Sequence, residues 1–159
     1  MFRQMRRIKQ QLSEEECLSI LTHETRGVLC VTGDGGYPYG VPINFYYSAT
    51  DKRIYFHGAR EGHKIDAIKN NDKVSFTVFE KGLPTEGKKG LNVRSIIVFG
   101  RIKIVEDIQK TFEICRNIAS QFDFADREYI EDEIQKFGKA VTCLELVPEH
   151  MTGKLINES

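Results

Sequence analysis

The stretch IYFHGAREGHKIDAIK, Ile54 to Lys69, sets His57, Arg60, Glu61, His63 and Lys64 close together where a strand gives way to a helix. Arg60, His63 and Lys64 crowd the start of that helix, which is predicted from His63 to about Asn70 with Ile65 and Ile68 on its buried side. The first N–H groups of a helix carry partial positive charge, so cations there are disfavoured by a few tenths of a kcal/mol up to about 1. An anion reverses the sign, and helix amides with a lysine make a phosphate site that needs no glycine-rich loop. The same residues also read as a solvated basic turn neutralised by Glu61. His57 ends the preceding strand, Arg53 to His57. Tyr55 and His57 share one strand face while Ile54 and Phe56 share the other, so His57 is expected to point away from the core that Ile54 and Phe56 fill.

These groups must be positioned by what surrounds them. Tyr39, Val41, Ile43, Phe45 and Tyr47 alternate with Gly40, Pro42, Asn44, Tyr46 and Ser48, the two-residue period of a strand. Pro42 cannot donate to a ladder and Gly40 gives up side-chain packing, so something other than a neighbouring strand is expected against this backbone. Upstream, Ser13 and Glu16 have the spacing of a capping box, with Leu12 and Cys17 as a hydrophobic staple, and the helix they open is expected to end near His23. Val28 to Val31 is a short apolar strand, and Gly33-Asp34-Gly35-Gly36 turns it into the Tyr37 to Ser48 strand. Those glycines do not make a dinucleotide fingerprint, because Pro38 takes the third glycine's place and a strand follows.

Downstream, Lys73 to Phe79 is a strand with Val74, Phe76 and Val78 on one face, and EKGLPTEGKKGLN, Glu80 to Asn92, is a long loop. Arg94 to Glu106 is the longest strand, with Ile96, Val98, Ile102 and Ile104 on one face and Gly100 marking a bend or bulge. Asp107 caps a helix with the stripe Ile108, Phe112, Cys115, Ala119 and Phe122. Asp126 opens another with Ile130, Ile134 and Phe137 apolar, and Gly138 stops it. A last strand is expected from Ala140 to Val147, broken by Pro148. Strands first, a late helical hairpin and a closing strand predict a mainly β fold with flanking helices, an antiparallel barrel.

At 159 residues the chain is expected to be one domain with a core of its own, residues 1–10 forming a basic arm with Arg3, Arg6, Arg7 and Lys9. Lys+Arg and Asp+Glu both number 23, so there is no global basic field, and neither nucleic acid nor a membrane is an expected partner. The start, MFRQMRRIKQ, lacks the apolar region of a signal peptide, which makes a cytoplasmic protein the expectation. Cys17, Cys30, Cys115 and Cys143 are scattered and form no C-x-x-C pair, so neither a metal site nor a disulfide framework is indicated.

Four segments, YGVPINFYY, IYFHGAREGHKIDAI, VRSIIVFGRIKIVED and MTGK, stand in an order and spacing that resembles the FMN-binding split barrels related to pyridoxamine 5'-phosphate oxidase, in the branch of 5-nitroimidazole resistance proteins. The resemblance runs from Met5 to Lys154. It implies a split β-barrel homodimer with FMN at the interface, each flavin touched by both chains. It also implies that Tyr39, Gly40, Val41, Pro42, Ile43 and Asn44 lie along the isoalloxazine and ribityl chain. Phe56, His57 and Gly58 would face the flavin, His63 and Lys64 would hold its phosphate, and Ser95 after Arg94 would be a further contact. His57 matches a histidine of the substrate pocket, where an imidazole near neutral pKa could donate a proton to a substrate receiving electrons.

Two departures bear on activity. Nothing after Gly138 supplies the arginine-rich segment with which the oxidases proper grip pyridoxamine phosphate, and His63-Lys64 stands where they commonly present Arg-Lys. The expected function is therefore an FMN oxidoreductase passing electrons to a small acceptor such as a nitroimidazole or other nitroaromatic. The alternative is a non-catalytic flavin- or haem-binding protein, with His57 as axial ligand in the haem case.

Overall fold

The computed structural model describes all residues except Thr85, Lys88, Phe124, Glu158 and Ser159. Its strands are β1 (Arg26–Thr32), β2 (Pro38–Ser48), β3 (Arg53–Ala59), β4 (Lys73–Phe79), β5 (Leu83–Pro84), β6 (Leu91–Val105) and β7 (Val141–Asn157). Hydrogen bonding runs β4-β1-β2-β3-β7-β6, and β6 also pairs with β4, so six strands close a ring while β5 covers only the start of β6. Every pairing is antiparallel. This is the antiparallel barrel that the order of elements in the sequence predicts, in the split form that the family resemblance implies.

The two-residue period decides which side chains enter the ring. Leu29 and Val31 of β1, Val74, Phe76 and Val78 of β4, Ile96, Val98 and Ile102 of β6, and Leu144 and Leu146 of β7 are all buried in one cluster. Phe45 and Phe56 meet Phe76 edge-to-face at 4.9 and 5.0 Å, the favoured geometry for aromatic quadrupoles. One end of the cluster is closed by α1 (Glu14–His23) through Cys17, Ile20 and Leu21. The capping box that starts α1 is formed: Glu16 N–H donates to Ser13 Oγ at 3.2 Å and Ser13 N–H to Glu16 Oε2 at 2.8 Å. The helix α2 (His63–Asn70) adds Ile65, Ala67 and Ile68.

Outside the ring, α3 (Ile108–Ala119) and α4 (Arg127–Phe137) form the helical hairpin. Asp107 and Asp126 cap them through the N–H groups of Lys110 and Tyr129, both at 2.8 Å. The face of α3 that is most deeply buried is Thr111, Ile114 and Ile118, not the expected stripe that begins at Ile108, which is exposed. Both sets recur at three- and four-residue spacing, and the outer face of β3 selects the first. Phe137, grouped with Ile130 and Ile134 as the apolar residues of this helix, is exposed at the end of α4, whereas the other two are buried.

The closing strand also differs from its prediction. β7 does not stop at Pro148 but runs on to Asn157, and it pairs with β6 from Cys143 to Asn157. Phe99 pairs with His150 and Gly100 with Pro148, which leaves Glu149 as an extra residue in a bulge. A proline is tolerated inside a sheet at such a bulge because its missing N–H is not asked to complete the ladder. The bulge pushes backbone against Gly100, where an added Cβ would lie 2.1 Å from the Val147 carbonyl oxygen. Gly100→Ala is therefore expected to destabilise the fold by about 2 kcal/mol, read as a lower urea midpoint at unchanged m-value. A change under about 0.5 kcal/mol would show that the bulge relaxes freely.

Within the loop expected from Glu80 to Asn92, Leu83 and Pro84 pair with Asn92 and Leu91. The basic arm does not stand clear of the barrel: the Phe2 ring stacks on His150 at 4.7 Å, and Gln11 bridges to Lys154.

Candidate functional site

The ring of strands does not close evenly. The β2–β3 ladder ends at the pair Phe45 and Phe56. Beyond it β2 continues from Asn44 back to Pro38 against β1 alone, and β3 continues from His57 to Ala59 against β7 alone. A continued register would set Asn44, Ile43 and Pro42 opposite His57, Gly58 and Ala59, but those strands have parted. Gln121, just past α3, satisfies the fork by donating its amide to the Phe45 carbonyl at 2.8 Å. The relaxed backbone signalled by Gly40 and Pro42 is thus one wall of a split, and residues 57–59 are the other.

The first turn of α2 spans that split. Gly62 precedes it at φ 120°, a conformation open to glycine at little cost, and no side chain caps the helix. His63 leans to the β2 wall, where its ring stacks on Tyr39 at 4.2 Å and its Nε2 accepts the Asp34 N–H at 3.1 Å. Acceptance at Nε2 puts the neutral ring's proton on Nδ1. Lys64 leans to the β3 wall: a Cβ added to Gly58 would lie 2.9 Å from Lys64 Nζ. The ammonium is about half buried, burial lowers its pKa, and among the described residues no carboxylate pairs with it. Glu61 is exposed and makes no ion pair among the described residues, so the basic turn is not neutralised from within.

His57 stands beside this cation on the outer face of β3. That face is not open to solvent, because α3 covers it and buries Tyr55 with Ile114, Ile118 and Cys143. His57 Nδ1 is buried with no hydrogen-bond partner among the described residues. Burial, and then the charge of Lys64, depress the imidazole pKa below its ordinary value. The ring lines a cavity of about 200 Å³ under α3 and α4, with Cys115, Tyr129, Ile134 and Phe137 among its walls. Apolar walls around one poised imidazole suit a small uncharged organic molecule.

The other residues singled out in the sequence divide. Tyr39, Gly40 and Pro42 are exposed along β2, while Val41, Ile43 and Asn44 are half-buried, with Asn44 Oδ1 accepting from Arg26 Nε at 3.1 Å. Phe56 is fully buried inside the barrel, so only its backbone can meet a ligand in the split. Arg94 and Ser95 lie on β6 between β4 and β7, on neither wall of the split. The Arg94 guanidinium is gripped by Glu80, with Nε donating to Oε2 at 2.8 Å. Sequence reasoning missed Gln121 and the meeting of Cys115 with Cys143, whose sulfurs are 3.9 Å apart. The stripe that put Cys115 on the inner side of α3 was the available signal; its partner lies 28 residues away on β7.

Residues 13–155 match the profile of a family described as pyridoxamine 5'-phosphate oxidase. The chain belongs to that family. Solved structures with the same fold include a candidate 5-nitroimidazole antibiotic resistance protein from Bacteroides thetaiotaomicron VPI-5482, 22% identical, covering 92% of this chain and 87% of that one at a TM-score of 0.77. A FAD-binding protein from Mesorhizobium loti is 25% identical over 92% of this chain and 96% of that one, with a TM-score of 0.65. A flavocytochrome from Azotobacter vinelandii is 19% identical over 96% of this chain and 72% of that one, with a TM-score of 0.69. No curated protein matches the chain. The pyridoxamine 5'-phosphate oxidase family thus spans the barrel, α2 and the helical hairpin, every element that shapes the split. Among the described residues no helix is long and apolar enough to cross a membrane.

Proposed function

We propose that the split binds FMN and that the protein is an oxidoreductase passing electrons from the reduced flavin to a small acceptor such as a nitroimidazole or other nitroaromatic. The observation that carries the reading is Lys64: a half-buried ammonium with no carboxylate partner among the described residues, at the first turn of a helix, between two parted strands. A phosphate dianion there meets the ammonium, the free N–H groups of α2 and the Nδ1–H of His63 together. Tyr39 to Asn44 give the isoalloxazine an extended wall, with Pro42 removing a donor that would otherwise need a partner. The flavin-binding proteins among the structural relatives support a flavin as the class of ligand.

When bound, FMN supplies the electron transfer; the chain's own residues supply placement and proton traffic. His57 lines the apolar cavity and would hand a proton to the acceptor as it gains electrons. The test is fluorimetric: FMN fluorescence quenches on titration into the purified protein, and the complex is reduced and then reoxidised by a nitroimidazole. No quenching at micromolar protein overturns the reading. His57 Nδ1, buried and unpartnered, also favours a second reading, a haem-binding protein with an axial imidazole. A Soret band in the purified protein, absent from a His57→Ala variant, would mark that case.

The reading extends to assembly. Phe79, Leu83, Ile97 and Phe99 leave a run of exposed apolar side chains around β4, β5 and β6, with Phe79 60% and Leu83 71% exposed. A second copy covering them would give a twofold dimer with flavin at the interface. It would also bring the β6 pair Arg94 and Ser95 to the partner's flavin, which neither reaches from a wall of its own split. The FMN complex is expected to sediment as a dimer at micromolar concentration, and a loaded monomer would contradict this. A cytoplasmic location belongs to the same proposal.

A further inference from the structure

Cys115 and Cys143 are joined by no local sequence pattern, yet they meet where α3 crosses β7. Their sulfurs lie 3.9 Å apart, and both are free thiols. The two are not equivalent. Cys115 opens on the cavity that His57 lines, whereas Cys143 is fully buried, with its Sγ 3.7 Å from the Thr111 carbonyl oxygen. Cys143 is also the cross-strand neighbour of His57 in the β3–β7 ladder.

We propose that Cys115 and Cys143 form an oxidisable dithiol that consumes an organic hydroperoxide entering the apolar cavity. The cavity of about 200 Å³ admits a small molecule and leads to one sulfur only. Its walls of Tyr129, Ile134 and Phe137 select an alkyl or aryl hydroperoxide over a charged oxidant. Cys115 attacks the terminal peroxide oxygen; the O–O bond breaks, a sulfenic acid forms on Cys115, and the alkoxide takes the thiol's proton and leaves as alcohol. Cys143 then attacks the Cys115 sulfur, expelling water, so two thiols and one hydroperoxide become one disulfide, one alcohol and one water. The sulfurs need to close from 3.9 Å to the bond length of about 2.05 Å.

The electrostatics agree with these roles. The thiol of Cys143 beside it holds the Cys115 pKa below the ordinary range, while that same pairing and burial push Cys143 up. Cys115 is thus the sulfur with access to the cavity and the lower pKa of the two, and Cys143 the one that resolves. The disulfide would fasten α3 to β7 across the floor of the cavity.

The test uses the full-length protein with stoichiometric cumene hydroperoxide as probe, followed by thiol counting after unfolding and peptide mapping. Free thiols are expected to fall from four to two, with the peptides carrying Cys115 and Cys143 joined. Cys143→Ala is expected to stop at a sulfenic acid on Cys115 that dimedone traps. The proposal is overturned if four thiols persist, or if Cys30 or Cys17 is lost while Cys115 and Cys143 survive. Because the wild-type map decides by itself, misfolding of the variant does not blur the outcome. The readout counts sulfurs, so it stands or falls separately from flavin binding.

Discussion

His57→Ala is expected to lower the proposed nitroimidazole reduction by about a hundredfold while the protein keeps its fold and the FMN proposed for it, a loss at the lower end for general acid catalysis. The size follows from where the ring stands. It lines the cavity, its Nδ1 has no hydrogen-bond partner among the described residues, and of the other cavity walls Tyr129 and Cys115 carry the remaining hydroxyl and thiol donors. The pH dependence carries the sign. Burial and Lys64 depress the imidazole pKa, so near pH 7 the ring is mostly neutral, and the imidazolium fraction grows as pH falls through and below the ordinary value near 6.5. The wild-type rate should therefore rise on acidification in that window, and the alanine variant should be flat. For stability the sign is opposite: a histidine depressed in the folded state costs folding free energy below its unfolded pKa, so wild type should lose stability below about pH 6.5 relative to His57→Ala. An unchanged rate in the folded, flavin-loaded variant would make His57 a packing residue.

The features that the sequence displayed were those whose cause is local. Lys73 to Phe79 alternates because β4 has one face in the ring, and its buried set is the one the period picks out. Ser13 and Glu16 close their capping box within a single turn. Gly40 and Pro42 lead to the expectation of something other than a neighbouring strand against their backbone, yet β1 pairs with both, and it is only on the side of β3 that β2 has no strand there. Periodicity also placed Phe56 correctly in the core, where the family resemblance alone would have turned it toward the ligand. What stayed hidden depends on distant partners. Pro148 read as a strand breaker because nothing near it shows that the facing residue is Gly100 and that a bulge absorbs the mismatch. The buried face of α3 is chosen by β3, and two overlapping stripes satisfy the same helical spacing. The fork at Phe45, its amide cap Gln121 and the contact of Cys115 with Cys143 join elements tens of residues apart, which no local pattern encodes.

Lys64→Ala is expected to weaken the proposed FMN binding by roughly 1.5 to 3 kcal/mol, the range for a charge-assisted contact, or about tenfold to more than a hundredfold in Kd. The magnitude reflects what remains: the amides of α2 and His63 still face the phosphate, but the half-buried cation is gone. Riboflavin isolates the cause, since it lacks the phosphate, and its affinity should be the same in wild type and variant. The pH profile adds a second signature. The phosphate gains its second charge near pH 6, so wild-type affinity should rise through that region. Burial lowers the Lys64 pKa, so affinity should fall again on the alkaline side before a free lysine would titrate. Only the rising limb should survive in Lys64→Ala. Lys64→Arg should keep most of the affinity and lose the alkaline limb, because a guanidinium does not deprotonate there. Affinity for FMN within twofold of wild type in Lys64→Ala would place the phosphate elsewhere on the barrel.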